Sequence, residues 1–285
     1  MLPEPSLFVS DLDGTLLDSE TTLSRYSKDT LNALMDQGLL FTVASARSIA
    51  SMRHVLAGLR LCLPVVEVNG AFVSDLAGGR HYVAHELHRD ILPGLWKLIA
   101  RSGHVPFIST YDGTADRCYY RDITNDGMAW YVRNRKLNQD PRMHYLHDLE
   151  RGLEEQVVCL RVIGTGPEME KLADEMSQPF AGRIQTQCFE NLSSPGWHWL
   201  TIQDAGATKE AGIRYVQRLK GLEDRRLVVF GDEKNDLGMF TLADEALAVA
   251  NAVPALKERA TGIIDSNDAD GVVKYISQHW DGTLE

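Results

Sequence analysis

The chain has 285 residues, 44% of them hydrophobic, and a formal charge of −11. That length suits one large domain or two, and the acidic balance disfavours nucleic acid or an anionic membrane as a partner. No run approaches the roughly 20 apolar residues a membrane helix needs. Four scattered cysteines (Cys62, Cys118, Cys159 and Cys188) form no C-x-x-C pair, which argues against a zinc site and against a disulfide framework.

The opening MLPEPSLF shows no charged start followed by an apolar stretch, so the reading expects no secretory signal and a cytoplasmic protein. Leu7, Phe8 and Val9 then form an apolar run of the kind that fills a strand buried on both faces. Ser27 can cap a helix with Leu31, Leu34 and Met35 on its apolar face, closed by Gly38. Leu39–Ala44 reads as a second buried strand ending at Ser45-Ala46-Arg47. A helix follows with Ile49, Met52, Val55, Leu56 and Leu59 at helical spacing. Val65–Val68 is a third strand, ending at Asn69-Gly70. Strand, helix, strand, helix, strand predicts a parallel sheet with helices on both faces and ligands beyond the strands' carboxyl ends.

The pattern changes near residue 85. Helical patterns at Ile91–Ile99, Met128–Asn134 and Met169–Met176 alternate with mixed strands at Val105–Thr110, Arg117–Arg121, Gln156–Ile163 and Arg183–Phe189. These fit an antiparallel sheet with one wet face. Trp197-His198-Trp199 reads as packing where the chain returns to the first style. Thr208–Leu219 then reads as a helix, Leu227–Phe230 as a buried strand, and Ala246–Val249 and Gly262–Ile264 as two short strands. Pro254 can start a helix, and Val272, Val273 and Ile276 mark a terminal one. The expectation is a Rossmann-like α/β core of doubly wound parallel sheet, residues 1–84 and 196–285, with an α+β domain inserted at 85–195.

Two stretches carry chemistry. In the first, Asp11 ends the opening strand and Asp13 follows two positions on, a spacing that puts both side chains on one side of an extended chain. Two carboxylates meeting there would repel, and a bound cation with oxygen ligands, such as Mg²⁺, would remove the repulsion. Gly14 lets the backbone turn. Taken alone, D-x-D-G-T also fits a calcium-type loop or an acidic turn. The second stretch is Gly231-Asp232-Glu233-Lys234-Asn235-Asp236, also at a strand's end, which adds two carboxylates and an amide. Alone, it also fits a polar loop with a helix cap.

Taken together, DLDGT, a hydroxyl residue ending the second strand, a late lone lysine and GDxxND resemble the haloacid dehalogenase superfamily of phosphohydrolases. The place of the insertion is similar to the Cof-type branch with its large cap. Asn69-Gly70-Ala71, Ala248–Ala252 and Ser266–Val272 add to the likeness. The resemblance implies that Asp11 is the nucleophile and forms an aspartyl-phosphate. Asp13 would be the general acid and base. Mg²⁺ would be held by Asp11, the Asp13 backbone carbonyl and Asp232, with Asp236 at or just outside the shell. Ser45, Lys209 and Asn235 would bind the phosphoryl group, Asn235 also helping to hold the lysine. The substrate would be a small phosphorylated metabolite such as a sugar phosphate, and the inserted domain would close over the site. A phosphomutase, or a non-catalytic metabolite-binding protein, remains the alternative. Two departures stand out: Ala46 where the family often has glycine, and Glu210 after the lysine. His85, His88, His144 and His147 have metal-compatible spacing without cysteine support.

Overall fold

The structure is a computed structural model that describes residues 6–191 and 194–280. Residues 1–5, part of the stretch read for a signal, lie outside the described residues. No helix among the described residues is long and apolar enough to cross a membrane. The chain divides into two compact units, one of residues 1–83 and 208–285 and one of residues 84–207.

In chain order, the first unit begins with β1 (Leu7–Ser10), α1 (Arg25–Asp36), β2 (Leu40–Val43), α2 (Ile49–Val55), β3 (Val65–Glu67), β4 (Phe72–Ser74) and β5 (His81–Ala84). The second holds α3 (Leu92–Arg101), β6 (Phe107–Tyr111), β7 (Asp116–Tyr120), α4 (Asp126–Leu137), β8 (Met143–Tyr145), β9 (Gln156–Gly164), α5 (Gly166–Ser177), β10 (Ile184–Glu190) and β11 (His198–Asp204). The first resumes with α6 (Lys209–Lys220), β12 (Leu227–Gly231), α7 (Leu237–Leu242), β13 (Glu245–Val249), α8 (Pro254–Lys257), β14 (Gly262–Ile264) and α9 (Gly271–His279).

The first unit is built on a parallel sheet in the order β14-β13-β12-β1-β2. Its central strands are apolar throughout because both faces are covered: Leu7, Phe8, Val9, Val228, Val229 and Phe230 have no more than 2% exposure. β3 reaches this sheet through one parallel bridge, Ala44 to Val66, and then turns into a three-stranded sheet with β4 and β5, a hairpin the sequence reading missed. α1 starts earlier than expected. Ser24, not Ser27, is its cap, and Ser24 Oγ accepts from the Ser27 N–H at 2.9 Å. α2 stops at Val55, short of the Leu59 that its apolar spacing suggested.

The second unit is a six-stranded sheet in the order β10-β11-β9-β6-β7-β8. Its pairs are antiparallel except β7 with β8. α3 and α5 cover one face, packing Leu95, Ile99, Leu172 and Met176 against Leu160, Val162, Leu200 and Ile202. α4 packs on the other, with Met128, Tyr131 and Val132 against Phe107, Tyr120, Ile163 and Trp199, so that face is only partly wet. Trp199 therefore belongs to a strand of this unit rather than to the return to the core. β11 pairs with β9 and β10, which carries the second unit to residue 207, beyond the boundary at 195 expected from the sequence.

Candidate active site

Parallel pairing decides which distant residues meet. Ser10 lies opposite Phe230, and the Asp11 N–H donates to the Phe230 carbonyl at 3.0 Å. The carboxyl ends of β1 and β12 are thus side by side, and each ends in aspartate. Carboxylate oxygens of Asp11, Asp232 and Asp236 all fall within 4.8 Å of one another. This is the one group of three or more potential metal-ligating side chains among the described residues, and none of His85, His88, His144 or His147 belongs to it.

Each member is fixed by a different element. After Asp11 the chain leaves the strand in a wide turn, Leu12–Leu16, in which Gly14 takes φ +74°. A methyl group at Gly14 would run into Asp232 Oδ2, so glycine is required both for the turn and for the carboxylate above it. Thr15 Oγ1 donates to Asp232 Oδ1 at 2.9 Å. Asp236 is fully buried. Its Oδ2 accepts the Asp232 and Glu233 N–H groups at 3.0 and 3.1 Å, and its Oδ1 accepts Lys209 Nζ at 2.7 Å. Both Asp236 oxygens are engaged in orienting the others. Lys209 opens α6 behind the Thr208 cap and is 1% exposed. Its second carboxylate contact is Asp11 Oδ1, also at 2.7 Å. Asp11 Oδ2 has no hydrogen bond among the described residues.

The electrostatics are unbalanced. Three carboxylates face one ammonium in a largely buried space. Burial raises Asp11 well above the usual carboxylate range; Lys209 opposes this, and the charges of Asp236 and Asp232 add to it. Burial, then the charge of Asp236, pushes Asp232 from its ordinary 3.8 up to about 7, against the pull of the Thr15 hydrogen bond. Burial pulls the Lys209 pKa down, but Asp11 and Asp236 outweigh it and the ammonium is held charged. Fully ionised, the group carries two surplus negative charges on oxygen donors alone. A hard divalent cation supplies the missing charge and suits the donors, so the residues present fit such an ion.

Asp13 departs from expectation. β1 ends at Ser10 and Leu12 already begins the turn, so the side-by-side geometry of an extended chain is lost. The Asp13 side chain is 46% exposed and paired in a fork with Arg47, Nε at 2.7 Å and Nη2 at 2.6 Å. Its carboxylate is not part of the cluster. Ser45 is buried at the end of β2, where its Oγ accepts the Arg47 N–H at 3.2 Å. Ser48 stands at the N-cap position of α2. Ala46 is not among the residues with positive φ, so the missing glycine costs nothing there. Asn235 Nδ2 donates to Asn69 Oδ1 at 3.2 Å rather than holding the lysine, which Asp11 and Asp236 hold. The Glu210 carboxylate lies against Gly238 at the start of α7.

Sequence reasoning missed the braces. Asn251 Nδ2 donates to the Gly14 carbonyl at 2.7 Å and Asn251 Oδ1 accepts the Asn267 N–H at 3.1 Å, while Asn267 Nδ2 donates to Leu17 O at 3.0 Å. The Ser19 N–H donates to Asp268 at 2.8 Å, and Ser24 and Ser27 both donate to Asp270. Asn251, together with Asn267, Asp268 and Asp270 of Ser266–Val272, thus holds the loop after β1. The signal for them in the sequence was the family likeness of Ala248–Ala252 and Ser266–Val272, which does not say what these residues hold.

A family model described as haloacid dehalogenase-like hydrolase matches residues 8–276. The 5-amino-6-(5-phospho-D-ribitylamino)uracil phosphatase YitU of Bacillus subtilis is 26% identical over 286 residues, covering 98% of this chain and 99% of that protein. The HMP-PP phosphatase of Escherichia coli O6:H1 is 24% identical over 277 residues, covering 95% and 93%. A solved haloacid dehalogenase-like hydrolase from Bacteroides thetaiotaomicron shares the fold with a TM-score of 0.77 at 22% identity, covering 96% of this chain and 99% of that one.

Proposed function

The chain belongs to the haloacid dehalogenase-like hydrolase family, and on that premise we propose that it is a Mg²⁺-dependent phosphatase of a small phosphorylated metabolite, working through an aspartyl-phosphate on Asp11. The observation that carries the reading is the buried Lys209–Asp11 contact, with Lys209 on one Asp11 oxygen and the other left open. One relative is named for a phosphorylated ribitylaminouracil and another for HMP-PP, which supports a small phosphorylated substrate.

Asp11, Asp232 and the Asp13 backbone carbonyl would hold Mg²⁺, with Asp236 orienting them. The ion, when bound, offsets the repulsion between the attacking carboxylate and an anionic phosphoryl group. Lys209 opposes the burial that raises the Asp11 pKa, and the bound cation would favour the ionised form needed for attack. Asp11 Oδ2 forms a bond to phosphorus while the bond from phosphorus to the leaving oxygen breaks. The electron pair stays on that oxygen, and Asp13 gives it a proton. Asp13 then takes a proton from water, the water oxygen bonds to phosphorus, and the phosphorus–Asp11 bond breaks to release phosphate. Asp13 does this only after its fork with Arg47 opens. Ser45, Lys209 and Asn235 hold phosphoryl oxygens through both steps.

The test is phosphate release from p-nitrophenyl phosphate and a panel of phosphorylated metabolites, with Mg²⁺ and with chelator. Turnover that needs Mg²⁺ and vanishes in Asp11→Asn supports the reading. Turnover by Asp11→Asn at the wild-type rate would end the mechanism. Transfer to a second sugar hydroxyl instead of water would make the protein a mutase. Ligand-raised melting with no turnover on the whole panel would make it a binding protein.

A further inference from the structure

Val68, Asn69 and Gly70 have φ of +49°, +53° and +99°, three successive residues in the left-handed region. For a β-branched valine this is a costly place, on the order of 1–3 kcal/mol, and it persists only where the surroundings impose it. The surroundings here are three separate segments. The Val68 N–H donates to the Arg47 carbonyl and the Asn69 N–H to the Ser45 carbonyl, both at 2.9 Å. Gly70 lies so close to Thr208 that a methyl group on it would overlap the Thr208 backbone carbonyl. Asn69, 2% exposed, accepts Asn235 Nδ2 on its side-chain oxygen at 3.2 Å. The segments that meet on this turn are those that carry Ser45, Lys209 and Asn235.

We propose that Asn69 is a positioning residue. Its backbone pins the Ser45 segment, its side chain pins Asn235, and the turn it forms seats the start of α6, so that one strained turn sets the spacing of the three phosphoryl-binding groups. This rests on the phosphatase reading for the identity of the bound group. The Asn69 amide bonds to Asn235, while the cluster's carboxylates are held by Thr15, Lys209 and the turn at Asp236, so loss of that amide separates phosphoryl binding from cation binding.

The test is Asn69→Gly, which keeps the left-handed backbone free of strain and removes only the amide. Expected are orthophosphate binding weakened about tenfold by calorimetry, the size of one buried hydrogen bond, and kcat lowered at least as much. Mg²⁺ affinity should stay within about twofold of wild type, and the melting temperature within a few degrees. In a double-mutant cycle, Asn69→Gly added to Asn235→Ala should cost less than the two single losses combined. A purely structural Asn69 would move orthophosphate binding, Mg²⁺ binding and melting together, and that result overturns the proposal. So do unchanged orthophosphate binding and kcat. If Asn69→Gly does not fold, Asn235→Ala breaks the same bond from the other side, and unaltered orthophosphate binding there is equally fatal. A wild-type protein that binds orthophosphate but hydrolyses nothing on the panel refutes the phosphatase reading alone. One that binds no orthophosphate refutes both.

Discussion

Asp232→Asn tests the charge imbalance directly. In the metal-free protein the Asp232 pKa moves from its ordinary 3.8 to about 7 on folding. The folded state therefore holds a proton that the unfolded chain has released, and stability contributed by this group is present below pH 4 and lost as pH rises through 7. At 1.36 kcal/mol per tenfold change, the full loss is about 4 kcal/mol, an upper bound because the carboxylate is partly accessible to water. Asparagine mimics the protonated form at every pH. Without metal, Asp232→Asn should nearly match wild type at pH 4 and exceed it at pH 8 by up to about 4 kcal/mol. Urea unfolding with chelator at the two pH values measures this. Mg²⁺ should then narrow that gap at pH 8: at a hundred times its dissociation constant it adds about 2.7 kcal/mol to wild type and little to the variant. If wild-type stability is flat between pH 5 and 8 with chelator, or if Asp232→Asn is no more stable than wild type at pH 8, the surplus charge at this site is not what the geometry implies.

Lys209→Met removes the one cation between Asp11 and Asp236; breaking a buried ion pair from one side costs about 3–5 kcal/mol, read by urea unfolding at pH 8, with turnover lost. Gly14→Ala places a methyl group against Asp232 Oδ2 at φ +74°, so it should raise the Mg²⁺ concentration needed for activity at least tenfold in a metal titration while the circular dichroism spectrum stays native. Asp13→Asn should slow hydrolysis of an alkyl phosphate by about 10²–10⁴, the usual worth of general acid catalysis. It should slow p-nitrophenyl phosphate much less, because that leaving group departs without a proton; equal losses on both would remove Asp13 from the acid role.

The apolar runs of β1 and β12 and the aspartates that end them were legible in the sequence, because a strand buried on both faces has no choice but continuous hydrophobic residues and must stop where a charge begins. The alternating block of residues 85–195 was legible as a separate unit for the same reason of periodicity. Its true end at residue 207 was not, since only pairing with β9 and β10 makes β11 part of that sheet. The sequence could place Asp11 and Asp232 at strand ends, but their adjacency follows from the order β12-β1 and its register, which are long-range choices. Asp13 shows the limit most clearly: local spacing put it beside Asp11, and the turn at Leu12 with Arg47 in reach turned it away. The roles of Thr15, Asn69, Asn251 and Asn267 have the same origin. A neutral side chain that holds a distant loop leaves no period or spacing in its own neighbourhood, and only the folded chain brings its partner within hydrogen-bonding distance.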